Sequence, residues 1–473
     1  MDLGTVARGS AIEIAAAVRT GAVSATAVVQ ACLERIERLE PQFNTFVTVT
    51  ADEALAAARR VDQLVASGAD PGPLAGVPVS VKDLIAVRGV RQTFGSQLLA
   101  DNVAQHDAPS VERLRAAGAC IVGKSTTSEL GSKAVGDSPL TGITRNPWNP
   151  EHTPGGSSAG AAAGVAAGIV PVALGTDGGG SIRIPSSFCG LFGIKARFGR
   201  VPVWPAAATP LLAHVGPITR TARDAALLLS VIAGPDARDP NAVQAPPPDF
   251  RIGLHAGVAG LRIGWCASFG YGHVDPEVLA RCAEAALALA AHGAQVQEVR
   301  PPFARDPGPA WNHMFYGRIA QRLAELAPTP ERMALVNPAL RAAVAQANLP
   351  GAPDEAQAMA LRAHAFAEVE DLLRRVDILL TPTMPVTAPR VGVDVPPGHE
   401  GRNAVDWSYF TYPFNLTGHP AASVPVGTVE GLPVGLQVVG SLDGEPAILR
   451  VASVLEQLYP PRLPRVDPPH PGR

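Results

Sequence analysis

Gly155-Gly156-Ser157-Ser158-Ala159-Gly160 and Gly175-Thr176-Asp177-Gly178-Gly179-Gly180-Ser181-Ile182-Arg183 are the two stretches on which the fold of this sequence turns. Both lie in residues 154–200, a Gly/Ser/Ala-rich segment with no charged side chain before Asp177. Consecutive glycines before a serine let the backbone turn tightly and bare their N–H groups around a hydroxyl. Such donors can hold an oxyanion. Two flexible loops with helix-capping hydroxyls would share this composition. Between them, however, residues 161–168 are nearly all Ala and Gly and read as a close-packed inner helix, capped by Ser157 or Ser158. Residues 170–174 read as a short strand. Loop, buried helix, strand, loop places both serine turns in the interior.

Working outward, residues 77–81 form a Val-rich strand that ends on Lys82-Asp83. A helix over 109–118 and a strand over 119–122 complete a parallel βαβ unit. Sites in such sheets collect beyond the carboxyl ends of the strands, where Lys82 falls. Upstream, residues 10–39 give two amphipathic helices split at Gly21, and 53–66 a third. Downstream, 221–233 is helical, and 261–265, 276–291 and 294–299 give a second strand–helix–strand. A helix over 353–375 leads into a strand over 376–380 and a proline-rich irregular loop over 382–397. Strands over 421–426 and 434–439 pair around Glu430-Gly431, before a helix over 445–458. Sheet elements from both ends of the chain favour one large α/β domain over independent halves.

Composition narrows the function. With 473 residues, 47% of them hydrophobic, the chain can bury a sizeable core. A net charge of −3 predicts neither a nucleic-acid footprint nor attraction to an anionic membrane. The five scattered cysteines contain no Cys-x-x-Cys pair, which suggests a reducing compartment and no metal knuckle. Asp2, Arg8, Glu13 and Arg19 interrupt any signal-peptide core, and no apolar run is long enough to span a bilayer, so a cytoplasmic location is expected. Lysine occurs only at positions 82, 124, 133 and 195. In a chain that otherwise uses arginine, each is a candidate for chemistry needing a neutral amine.

A nucleophilic serine needs a base and oxyanion donors. Ser181, behind three glycines, has the best nest. Ser158 formally fits Gly-x-Ser-x-Gly, but no strand precedes it, so it is read as a decoy. His152, His214 and His419 lie in loops of interest, yet none has a matched acid in triad order. Spacing does not choose among Lys82, Lys124 and Lys195 as the base.

The motifs Gly76-Val77-Pro78-Val79-Ser80-Val81-Lys82-Asp83, Gly155-Gly156-Ser157-Ser158, residues 175–185 with Cys189-Gly190, and Gly216-Pro217-Ile218-Thr219-Arg220 resemble the amidase signature enzymes. So do Pro413-Phe414-Asn415-Leu416-Thr417-Gly418 and Gly431-Leu432-Pro433-Val434-Gly435-Leu436-Gln437. The resemblance covers nearly the whole chain. It implies an α/β fold with a mixed central β-sheet covered by helices on both faces, in one amidase domain over 1–473. A signature core (70–235), a variable region (236–375) and a returning C-terminal part (376–460) would make it up. It further implies a Ser–cisSer–Lys triad: Ser181 as nucleophile, Ser157 as the bridging serine on a cis peptide, and Lys82 as base. Gly178, Gly179 and Gly180 would form the oxyanion hole, Gly131 and Ser132 the acyl side of the pocket, and Trp204 its rim. No metal or cofactor is implied. The expected partner is a small-molecule amide, cleaved to acid and amine or ammonia, with a homodimer left open.

Two departures from the family pattern are Ala159-Gly160 in place of a second Gly-Gly and Gly178 where a bulkier residue is common. The alternatives are the glutaminase component of a tRNA-dependent amidotransferase (its A subunit) and an inactive binding module. Pocket shape is expected from loops over 129–137, 202–214 and 311–349.

Overall fold

A computed structural model describes residues 9–347, 349 and 351–466; Asp2 and Arg8 of the expected N-terminal reading lie outside them. Eleven strands form one mixed sheet: β1 (Phe46–Val49), β2 (Pro78–Lys82), β3 (Cys120–Ser125), β4 (Val172–Asp177), β5 (Phe192–Lys195), β6 (His214–Thr219), β7 (Arg262–Trp265), β8 (Gln295–Glu298), β9 (Ile378–Pro382), β10 (Ala421–Val429) and β11 (Leu432–Gly440). Their spatial order is β1-β3-β2-β4-β6-β5-β10-β11-β9-β7-β8. β3, β2 and β4 run parallel, as do β9, β7 and β8, while the pairs from β4 through β6, β5, β10 and β11 to β9 are antiparallel. Both strand–helix–strand units read from the sequence are therefore parallel. The centre of the sheet draws on both ends of the chain, which ties it into a single domain.

The inner strands explain the layering. Every residue of β2, β3 and β11 is buried. A strand buried on both faces needs helices on both. These are α1 (Ala11–Arg19), α2 (Ala25–Phe43), α3 (Ala51–Ala66), α4 (Pro109–Ala116), α5 (Ala159–Ala166), α6 (Arg183–Cys189), α7 (Ala222–Ile232), α8 (Pro276–Ala288) and, in the C-terminal part, Glu445–Leu458. α5 is the Ala/Gly helix, buried along its whole length. Its small residues answer a close approach: a methyl group on Gly160 would overlap Thr45 and Thr126. Ser158 occupies its N-cap position without capping it. The hydroxyl instead bridges the backbone N–H and C=O of Thr176 on β4, correcting the expected cap.

Residues 311–349 are expected as loops, but most of the described ones are helical instead. α9 (Gly308–Asn312) runs through one π-turn over 313–317 into α10 (Arg318–Leu326), with α11 (Pro338–Ala347) and α12 (Glu355–Arg375) beyond. Trp311, Phe315, Ile319 and Leu323 recur every four residues and are buried in a second apolar cluster that also takes in Leu379, Ala421 and Val439 of β9, β10 and β11. This stripe is the helical signal in the segment. All five cysteines are free and buried. No described helix is long and apolar enough to cross a membrane.

Candidate active site

β2 and β4 are parallel neighbours, so Lys82 and Thr176-Asp177 emerge at the same edge of the sheet. The turn into α5 delivers Ser157 to that edge, on a cis Gly156–Ser157 peptide. Lys82 is fully buried, and its Nζ lies 2.7 Å from Ser157 Oγ and 2.8 Å from Thr176 Oγ1. Burial drives its pKa well below the usual lysine range, although Asp177 pulls the other way. The decisive point is the partners, two hydroxyls and no carboxylate. Burial in such company favours the neutral amine.

The other lysines are placed differently. Lys124 donates to Asp83 at 3.1 Å, both buried. Lys133 pairs with Asp137 and Asp394 at 2.7 and 2.8 Å. Lys195 is buried against the His419 carbonyl at 2.5 Å and His214 Nε2 at 3.5 Å. Only Lys82 meets the serine turns. His152 holds the Ala388 carbonyl, and burial pushes His419, bonded to Glu370, down to about 4. His214 lines the cavity with Nδ1 against the Leu212 carbonyl at 2.8 Å. Burial, then the Lys195 charge, keeps its ring neutral.

Ser157 and Ser181 border one cavity of about 450 Å³. No hydrogen bond joins their hydroxyls in this structure; links of this kind commonly tighten only when substrate is bound. Behind Ser181, Asp177 is the organiser. Burial pushes its carboxyl up, but the Arg183 guanidinium outweighs this and holds it well below the usual range. Arg183, also fully buried, spreads its donors over Asp177, the Thr411 carbonyl, Asn415 and Gln437. Asp177 in turn takes the N–H groups of Gly180 at 2.7 Å and Ile182 at 3.2 Å. Gly180 therefore leaves the expected oxyanion trio, because its N–H is already engaged. The N–H groups of Gly178, Gly179 and Ser181 have no acceptor among the described residues.

The three glycines also answer crowding. A Cβ at Gly179 would lie 2.5 Å from the Trp311 ring, one at Gly178 3.1 Å from Phe315, and one at Gly180 would overlap Thr411. Gly178, noted as a departure from the family pattern, thus cedes its side-chain space to Phe315.

Gly131 and Trp204 line the cavity; Ser132 does not. It is buried, its carbonyl held by the Tyr316 hydroxyl. The rest of the wall is largely apolar: Leu84, Ile85, Phe94, Leu99, Leu130, Val203, Phe315 and Ile319, with Gln92, His214 and Arg322 among its polar members. Phe94 and Leu130 both have positive φ (55° and 50°), and the Leu130 N–H donates to the Phe94 carbonyl at 2.8 Å. Such backbone costs about 1–3 kcal/mol per residue and concentrates at functional sites. Glu129, buried and bonded by Ser96 and the Asn337 N–H, braces the turn. The sequence reading missed Thr176, Leu84, Phe94 and Leu99. Leu84 could have been found because it follows the carboxyl end of β2. Among the described residues no group of three or more His, Cys, Asp or Glu is placed to hold a metal ion.

The Amidase family profile matches residues 27–449. An acylamidase of Rhodococcus erythropolis is 35% identical over 457 residues, 95% of each chain. The A subunit of a glutamyl-tRNA(Gln) amidotransferase, from Synechococcus sp. (strain CC9605), is 38% identical over 470 residues, 93% of this chain and 94% of that one. Among solved structures, a bacterial aryl acylamidase of the amidase signature family superposes with a TM-score of 0.89 at 32% identity, covering 96% of both chains. 6-Aminohexanoate cyclic dimer hydrolase does so at 0.87 and 30%, covering 98% of this chain and 100% of that one. With its fold, its motifs and these relatives in agreement, the chain belongs to the amidase signature family and is an amidase.

Proposed function

We propose that this amidase hydrolyses small carboxylic amides with an apolar or aryl portion, through an acyl-enzyme on Ser181. Neutral Lys82 accepts the Ser157 proton as Ser157 takes that of Ser181, whose Oγ adds to the amide carbon. The carbonyl electron pair becomes an oxyanion facing the N–H groups of Gly178, Gly179 and Ser181. Collapse breaks the C–N bond, and the proton returns from Lys82 through Ser157 to the leaving nitrogen. Water then adds to the ester by the same relay and releases the acid, restoring Ser181.

The observation that carries the substrate class is the cavity wall. Among the described residues Asp177 is the sole carboxylate lining it, and Arg183 and Asn415 already bind that group. Arg322 is paired with Glu325 at 2.8 Å. A free amino acid such as glutamine would leave its ammonium group without a partner on these walls, which is costly in a desolvated site. The amidotransferase reading draws on the relatives that share that role, and one assay separates the two. The isolated chain should turn over anilides and primary amides of apolar acids much faster than glutamine, and Ser181→Ala should abolish turnover. Preferential glutamine hydrolysis would favour the amidotransferase role.

A further inference from the structure

Trp311 reaches the glycine loop from the helical region. Its indole Nε1 donates to the Gly178 carbonyl at 2.9 Å. Its ring is fixed between Phe315 (centroids 4.6 Å apart, planes at 18°) and Tyr412 (5.2 Å, 26°), and the Tyr412 hydroxyl donates to Asp306. An indole N–H can only donate, so the direction of this bond is unambiguous. The C=O and N–H of a planar trans peptide point in opposite directions. Anchoring the Gly178 carbonyl therefore fixes the Gly179 N–H on the side away from the aromatic stack. A bond accepted at the carbonyl also polarises that N–H. Glycine dihedrals supply no such restraint of their own. Of the amides in the trio expected from the sequence, Gly180 is committed to Asp177 and Gly179 is open.

We propose that Trp311 is a positioning residue for the reaction: its hydrogen bond to the Gly178 carbonyl aims the Gly179 N–H at the oxyanion. The proposal rests on the reading that Ser181 is the nucleophile and that the glycine loop faces the developing charge. It also gives the bare positions 178 and 179 a second reason, since side chains there would displace the stack that carries the anchor.

The test compares Trp311→Phe, which keeps a ring and removes the N–H, with Phe315→Leu, which thins the stack and keeps the indole. Three quantities are read: kcat and KM for an apolar anilide, the Ki of a trifluoromethyl ketone of the same acid, and the Ki of the matching alcohol. The ketone takes up Ser181 Oγ at its carbonyl carbon and so creates an oxyanion; the alcohol creates none. Trp311→Phe is expected to lower kcat and weaken the ketone by about 10- to 100-fold, with KM and the alcohol within about twofold. Phe315→Leu, which keeps the indole N–H, should lose less of the preference for ketone over alcohol than Trp311→Phe does. Unchanged ketone affinity in Trp311→Phe overturns the proposal. So does equal weakening of ketone and alcohol, or the same loss of preference in Phe315→Leu. Trp311→His, which retains a ring N–H, is the second variant should Trp311→Phe not fold: it should keep the ketone preference, and its loss overturns the proposal. Ser181→Ala serves as the separate control. If that variant still forms the ketone adduct, the underlying reading of the site fails, whatever Trp311 does.

Discussion

The edge of the sheet beneath the cavity and the helices above it solve opposite problems. Below, Lys82, Asp177 and Arg183 are polar and buried, and with the half-buried Thr176 they are held by named partners. Above, Phe315 and Ile319 present apolar surface, with Trp311 buried behind them, and Arg322 stands with Glu325. On the function proposed above, the floor would fix protonation states and donor directions, and the roof would select what is admitted. Chemistry and selection are thus assigned to different elements, and a change in one need not disturb the other.

The sharpest way to break that division is at Lys82. Lys82→Arg and Lys82→Met should each lower kcat by about 10²- to 10⁴-fold, because guanidinium cannot accept the relay proton. A variant that keeps most of kcat would reduce Lys82 to packing. The wild-type rate should rise with pH as the amine loses its proton. Stability gives the mirror image. Burial depresses the folded pKa of Lys82, so between that value and about 10.4 the unfolded chain binds more protons and folding is favoured as pH rises. Lys82→Met lacks this penalty. It should melt higher than wild type near neutrality, with the gap closing towards alkaline pH.

Next in size, Asp177→Asn leaves Arg183 charged in the interior and should cost about 3–5 kcal/mol in denaturant unfolding. The Gly180 and Ile182 N–H groups lose their carboxylate in the same step. If stability is hardly changed, the floor is less dependent on this pair than its burial indicates. Smallest is Arg322→Ala, on the exposed side of the roof. Turnover of neutral apolar amides should stay within about twofold, as expected for an exposed ion pair. A large loss would show that an anionic group of the substrate is being read there.

How far the sequence revealed these two regions follows from the same contrast. The floor was legible because its chemistry demands residue types that stand out: consecutive glycines before a serine, and a lysine ending a Val-rich strand. Spacing alone does not choose Lys82 among the lysines, and it is the motif resemblance that names it: Asp83 beside it neutralises Lys124 instead, a fact of strand adjacency that local pattern does not carry. The engagement of the Gly180 N–H is hidden for a related reason: the Asp177 side chain reaches three residues along the chain to accept it. Partners of Arg183 at 411, 415 and 437 lie more than two hundred residues away. The roof carried a usable signal in the spacing of Trp311, Phe315, Ile319 and Leu323, but a divergent segment between two motif regions invited a loop assignment.

The five buried thiols have a practical consequence. Desolvation raises the pKa of each, so neither access nor thiolate favours reaction in the folded chain. An alkylating reagent then labels only molecules that have opened. Because Cys32, Cys120 and Cys189 sit by the N-terminal helices, β3 and α6, and Cys266 and Cys282 by β7 and α8, their relative labelling rates form an internal clock that reports which part of the sheet lets go first.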